Sequence, residues 1–102
     1  MKNIAARREL LFSSKGESTR LRFAVRITVP EEVQQSEVNF ECSPGTSRCT
    51  INFDGLPEPD IDVFGADSIQ ALNLASDIDP YLRGLSKKYD FFFDSGEEYF
   101  DD

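Results

Sequence analysis

From Arg20 to Val29 the chain alternates with a strict two-residue period: Leu21, Phe23, Val25, Ile27 and Val29 against Arg20, Arg22, Ala24, Arg26 and Thr28. Such a segment is stable only as a strand with one buried face, so the chain must build a sheet and something to cover it. Pro30 ends the pattern because it cannot donate to a ladder. Upstream, Ile4, Ala6, Leu10 and Phe12 share one face of a first strand over Ile4–Phe12, interrupted by Arg8, and Ser13–Ser18 is a polar turn segment.

Two further alternating runs follow, Val38-Phe40-Cys42 and Cys49-Ile51-Phe53, separated by Ser43-Pro44-Gly45-Thr46-Ser47-Arg48. Folded as a hairpin about Gly45-Thr46, Cys42 faces Cys49, Phe40 faces Ile51, Val38 faces Phe53, and every apolar residue falls on one side. Opposed cysteines in a sheet are within bridging distance, but a reducing cytosol predicts two core thiols. Ile61–Phe64 is a short strand. Beyond it the spacing turns helical: Ala71, Leu74, Ala75, Ile78, Leu82 and Leu85 recur at steps of three and four, flanked by Leu72. Asp67 or Ser68 supplies the N-cap. Pro80 forces a kink or break near residues 77–80, with Asp79 capping a restarted segment that ends near Lys87. Tyr89–Phe93 is a last strand with Phe91 and Phe93 turned inward, and Glu97–Asp102 is an acidic tail suited to one more edge strand. The expected fold is a single α+β domain over 1–102: an antiparallel sheet of about four to six strands packed by one main, kinked C-terminal-half α-helix.

The formal charge is −8, unevenly laid out. Through Val29 seven bases face two acids; from Pro30 onward four bases face seventeen acids. A body this acidic repels phosphate, which argues against direct nucleic-acid or anionic-membrane partners, and it attracts basic proteins. Acidity for solubility alone gives the same balance. No apolar run approaches the ~20 residues of a membrane helix. The charged start, Met-Lys-Asn-Ile-Ala-Ala-Arg-Arg, lacks the apolar stretch of a secretory signal, so the expected location is cytoplasmic.

Chemistry for catalysis is sparse. With no histidine the chain has neither a Ser-His nor a Cys-His pair, and two cysteines cannot complete a structural zinc site. Asp60-Ile-Asp62-Val-Phe64-Gly65 starts like a calcium loop but has Phe64 where a third oxygen ligand belongs, and Ala71 where the bidentate glutamate belongs. No catalytic residue, metal or cofactor is expected, and the reading is a binding protein, not an enzyme. The candidate partner surface is the C-terminal stretch, where Asp90, Asp94, Glu97, Glu98, Asp101 and Asp102 surround Phe92 and Tyr99 without a base among them. Its plainer alternative is an edge strand whose acids discourage aggregation. The loop acids Glu58, Asp60 and Asp62 are a second candidate surface.

The run Phe64-Gly65-Ala66-Asp67-Ser68-Ile69-Gln70-Ala71-Leu72-Asn73-Leu74-Ala75 resembles the Gly-x-Asp-Ser-x-Gln-Ala-Leu signature of a small, uncharacterised bacterial family. Arg8-Glu9-Leu10, Val25–Pro30 and Cys49–Leu56 are similar to that family's strands, while Glu31–Arg48 and the acidic, Phe-rich tail depart from it. Members look like immunity proteins of interbacterial toxin systems, of the contact-dependent inhibition or type VI secretion kind. The resemblance thus implies a cognate toxin domain as the partner; a general acidic adaptor is the other expectation, and oligomeric state stays open. Within the signature Gly65, Asp67, Ser68, Gln70 and Leu72 read as structural: a tight lead-in, two caps, a side-chain hydrogen bond to the sheet and a packing leucine.

Overall fold

The computed structural model describes residues 3–100. Its strands are β1 (Ile4–Ser14), β2 (Leu21–Thr28), β3 (Glu31–Glu32), β4 (Ser47–Asp54), β5 (Ile61–Gly65) and β6 (Tyr89–Phe93), with helices α1 (Ser68–Ser76) and α2 (Asp79–Leu85) between the last two. All pairings are antiparallel. The six-stranded sheet reads β6-β1-β2-β4-β5, with β3 beside β2 on the same edge of β4. The architecture is α+β, and no helix among the described residues is long and apolar enough to cross a membrane.

The alternating pattern of β2 sets the core. Phe23, Val25 and Ile27 share a face with Leu10 and Phe12 of β1, Cys49, Ile51 and Phe53 of β4, Val63 of β5, and Tyr89 and Phe91 of β6. Ala71, Ala75, Ile78 and Leu82 close this face from the helical layer. Burying each valine, leucine, isoleucine or phenylalanine of this set contributes about 1.5–3 kcal/mol. The cover is shorter than the sheet, so the end residues Leu21 and Val29 remain exposed.

Four expectations change. A register shift between Ile4 and Ala6 turns Ile4 off the apolar face, to lie beside Arg26 and Thr28. The Val38–Cys42 strand does not form, because β4 already has β2 and β3 on one edge and β5 on the other. The segment is instead a 3₁₀ turn (Gln35–Glu37) and a loop held by Gln35, whose amide donates to the Phe40 carbonyl and accepts from the Cys42 N–H. Cys49 is fully buried opposite Val63, Cys42 is half-buried, and both are free thiols. Third, the sequence's one kinked helix is two separate helices. Asp77 and Ile78 lie between them, and Pro80 stands in the first turn of α2 where its missing N–H is harmless. Asp79 is the first helical residue and not the cap, and α2 ends at Leu85. Last, Leu74 of the helical stripe is 48% exposed, so the stripe packs through its alanines, Ile78 and Leu82.

Candidate functional site

The second face of the sheet carries the polar residues. Arg7 and Glu9 of β1, Arg22 and Arg26 of β2, Arg48, Thr50 and Asn52 of β4, Asp62 and Phe64 of β5, and Asp90 and Phe92 of β6 all lie there by register. Its two sides differ in how far their charges are matched.

On the β6 side the acidic stretch folds back onto the basic N-terminal strands. Lys15 pairs with Asp90, and Arg22 with Asp94. Gly96, at φ +96°, turns the chain so that Phe93 N–H donates to the Glu97 carbonyl and Tyr99 N–H to the Phe91 carbonyl. A bridge between Phe92 and Glu98 completes this cover over the edge of β6. Phe92, expected on the partner surface, is only 8% exposed: the Arg20 guanidinium lies 3.7 Å over its ring and donates to the Gly96 carbonyl. Phe93, expected inside, is 41% exposed because β6 runs past the helical cover, and it stacks on Tyr99. The Tyr99 hydroxyl accepts from Arg8 at 2.7 Å and donates to Asp79, which explains the arginine that interrupts the apolar face of β1. Burial raises the Tyr99 hydroxyl's pKa, reinforced by Asp79 and opposed by Arg8. Glu97 and Glu98 are exposed on the returning segment. Asp101 and Asp102 lie outside the described residues.

The β5 side is arranged differently. Arg48, 17% exposed, donates to Glu31 at 2.7 Å and lies 3.8 Å from the Glu37 carboxylate. Its pKa is raised chiefly by the Glu31 hydrogen bond, against desolvation, with Asp62 and Glu37 adding to the rise. The buried Nε of Arg48 has no hydrogen-bond partner. Thr50 donates to Asp62 and Asn52 to Asp60, while Arg26 donates to Asn52. Glu31, Glu37, Asp60 and Asp62 therefore line one bank, in which Glu31 and Glu37 flank Arg48 while Asp60 and Asp62 bond to neutral donors. Beside it, Ser36–Phe40, Arg48, Asp62 and Phe64 line an open groove of about 520 Å³, with Phe40 edge-on to Phe64 at 5.0 Å. Sequence reasoning found Asp60 and Asp62. It missed Glu31 and Glu37, which are brought in by β3 and the 3₁₀ turn, elements with no periodic signal.

Glu58, the third of the loop acids, does not join the bank. It accepts from Tyr89 at 2.8 Å and Lys88 at 3.2 Å near the apolar side of the sheet. The Tyr89 hydroxyl, ahead of Lys88, lowers its pKa, while burial and Glu58 raise that of Tyr89. Glu58 is a support for the β4–β5 connection.

The signature residues serve the fold. A Cβ on Gly65 would come within 2.3 Å of the Ala71 backbone nitrogen, so only glycine lets α1 start this close to β5. Asp67 is the N-cap and accepts from Gln70 N–H at 2.8 Å, with Ser68 the first helical residue. The Gln70 side chain accepts from Ala66 N–H, and Leu72 packs against the core. Among the described residues no three His, Cys, Asp or Glu side chains gather closely enough to hold a metal ion. The chain matches no family model, no curated protein and no solved structure.

Proposed function

We propose that the chain is a bacterial immunity protein, acting in the cytoplasm without catalysis of its own, that binds and neutralises a basic, nuclease-type toxin domain. The observation that carries this reading is the uneven matching of charge on the polar face. Asp90 and Asp94 are paired with cations within the chain, whereas on the β5 side Asp60 and Asp62 bond to the neutral side chains of Asn52 and Thr50, with Glu37 beside them at Arg48. Carboxylates there occupy the places that substrate phosphates take on a nuclease, and they steer a cationic surface during approach. Exposed Phe40 supplies an aromatic contact next to them. An interface of standard size buries ~1,200–2,000 Å² in total, enough to span the bank, the groove and the open edge of the sheet.

A second reading, an acidic adaptor or regulatory subunit without a toxin, is favoured by one fact: the signature residues Gly65, Asp67 and Gln70 are all occupied in the fold and none belongs to the bank. Co-expression with the basic toxin domain encoded by a neighbouring reading frame separates the two. Rescue of growth, lost on charge reversal of Glu37, Asp60 and Asp62, is the expected result. Undiminished killing, together with co-purification of a housekeeping complex, favours the adaptor.

A further inference from the structure

We infer that the binding partner adds a strand to the free edge of β5, an extended segment whose basic residues alternate with apolar ones. This rests on the reading of the bank as a surface for a basic protein and specifies how that surface is engaged.

The direction of the edge follows from one hydrogen bond. Thr50 N–H donates at 2.7 Å to Thr28 Oγ1, on the β2 side of β4. Backbone groups alternate sides along a strand, so Cys49 and Ile51 turn toward β5, where they face Val63 and Ile61. The residues of β5 that bond inward are thus Ile61, Val63 and Gly65, and the N–H and C=O groups of Asp62 and Phe64 point outward. None of the hydrogen bonds among the described residues reaches those four groups. Both side chains lie on the polar face, Asp62 exposed and beside Arg48, and Phe64 under Phe40.

Two other places on the sheet where such pairing could occur are guarded. The edge of β6 is covered by the returning segment at Glu97–Tyr99. Beyond its pairing with β6, the stub Ile4–Glu9 of β1 has no strand on its far side among the described residues, but it carries the register shift and the adjacent Arg7 and Arg8. Bulges and charges of this sort blunt an edge. β5 has neither a bulge nor a base, and its sequence, Ile-Asp-Val-Phe-Gly, favours extended pairing. Main-chain hydrogen bonds to an exposed edge are a recurrent recognition mode, with specificity from alternate side chains. Here those on the polar face would meet Asp62 and the neighbouring Asp60 and Glu37, which selects lysine or arginine.

Amide hydrogen exchange on the full chain, read residue by residue by NMR, tests this with a synthetic peptide alternating lysine and valine and a control alternating glutamate and valine. The inference expects fast exchange at Asp62 and Phe64 in the free chain. Both amides should slow at least about tenfold with the lysine peptide at low salt, and neither with the glutamate peptide. Chemical shifts that move at Glu31, Glu37 and Asp60 while both amides still exchange freely would overturn the added strand yet leave the bank standing. No shift at the bank would overturn both. Slow exchange in the free chain, or slowing that grows with the chain's own concentration, would mean that the edge is already covered or takes a second copy, and either result overturns the inference.

Discussion

The two sides of the sheet were built from the same kinds of residue and came out opposite. At β6 Asp90 meets Lys15 just after β1 and Asp94 meets Arg22 of β2, the returning segment covers the strand edge, and Arg20 lies over Phe92. At β5 Glu31 and Glu37 flank a largely buried arginine, Asp60 and Asp62 bond to neutral side chains, no strand among the described residues covers the edge, and an aromatic side chain stands exposed beside it. A run of like charge in a sequence is therefore no guide to a binding surface until the partners folded against it have been counted. Separated along the chain by some seventy residues, Arg22 and Asp94 cancel in space.

The sharpest way to break the contrast is to remove the joint that holds the β5 side together. Gly65→Ala drives a methyl group into the backbone of Ala71, and overpacking of this kind costs about 3 kcal/mol. Urea unfolding should show that loss, whereas Gly84→Ala, which meets nothing within 4 Å, should show none. Next in size is Arg48→Met. It removes the guanidinium that Glu31, Glu37 and Asp62 face, at a cost of about 2 kcal/mol, less than for a fully buried pair. Thermal melts of the variant beside the parent chain at neutral pH will read the deficit.

Tyr89→Phe is the intermediate case, expected to cost about 1 kcal/mol for a hydrogen bond to a charged group near the core. The folded pKa of Glu58 is depressed, first by this hydroxyl. Its contribution is therefore present above the ordinary glutamate range and fades as pH falls through the folded value. The variant should flatten that acid limb of the stability profile; an unchanged limb would assign the depression to Lys88 instead. Smallest of all, the double change Asp90→Asn with Asp94→Asn removes two exposed ion pairs and should cost under about 1 kcal/mol, less still in high salt. A larger loss would mean that the paired side is held together by charge and not by the packing of Phe91, Phe92 and Tyr99.

What could be read in advance follows where the information is local. The period of two in β2, a cap at Asp67 or Ser68, an interruption of the helix near residues 77–80 and the strand of Tyr89–Phe93 are each written in a few adjacent residues; the structure has the strands, the cap at Asp67 and an interruption at Asp77 and Ile78. The Val38–Cys42 strand had an equally good alternation and failed, since pairing depends on which edges of β4 are vacant, a property of the whole sheet. Thiol labelling checks that correction: Cys42 should react in the folded protein, and buried Cys49, whose pKa burial raises, only after unfolding. The candidate site divides in the same way. Asp60 and Asp62 could be marked from the sequence, but Glu31 and Glu37 join them through a two-residue strand and a single 3₁₀ turn, and the tail's partners lie at the other end of the chain.

The central claim, that the β5 side and not the acidic tail meets a cationic protein, is tested most directly by calorimetric titration of poly-lysine at low salt into two charge-reversed forms of the chain. One carries Glu37→Lys, Asp60→Lys and Asp62→Lys, the other Asp94→Lys, Glu97→Lys and Glu98→Lys, so that both change net charge equally. The account predicts a fall in affinity of about tenfold or more, roughly 1.4 kcal/mol, for the first and less than about threefold for the second. A greater loss in the tail variant, or equal losses in both, would contradict it.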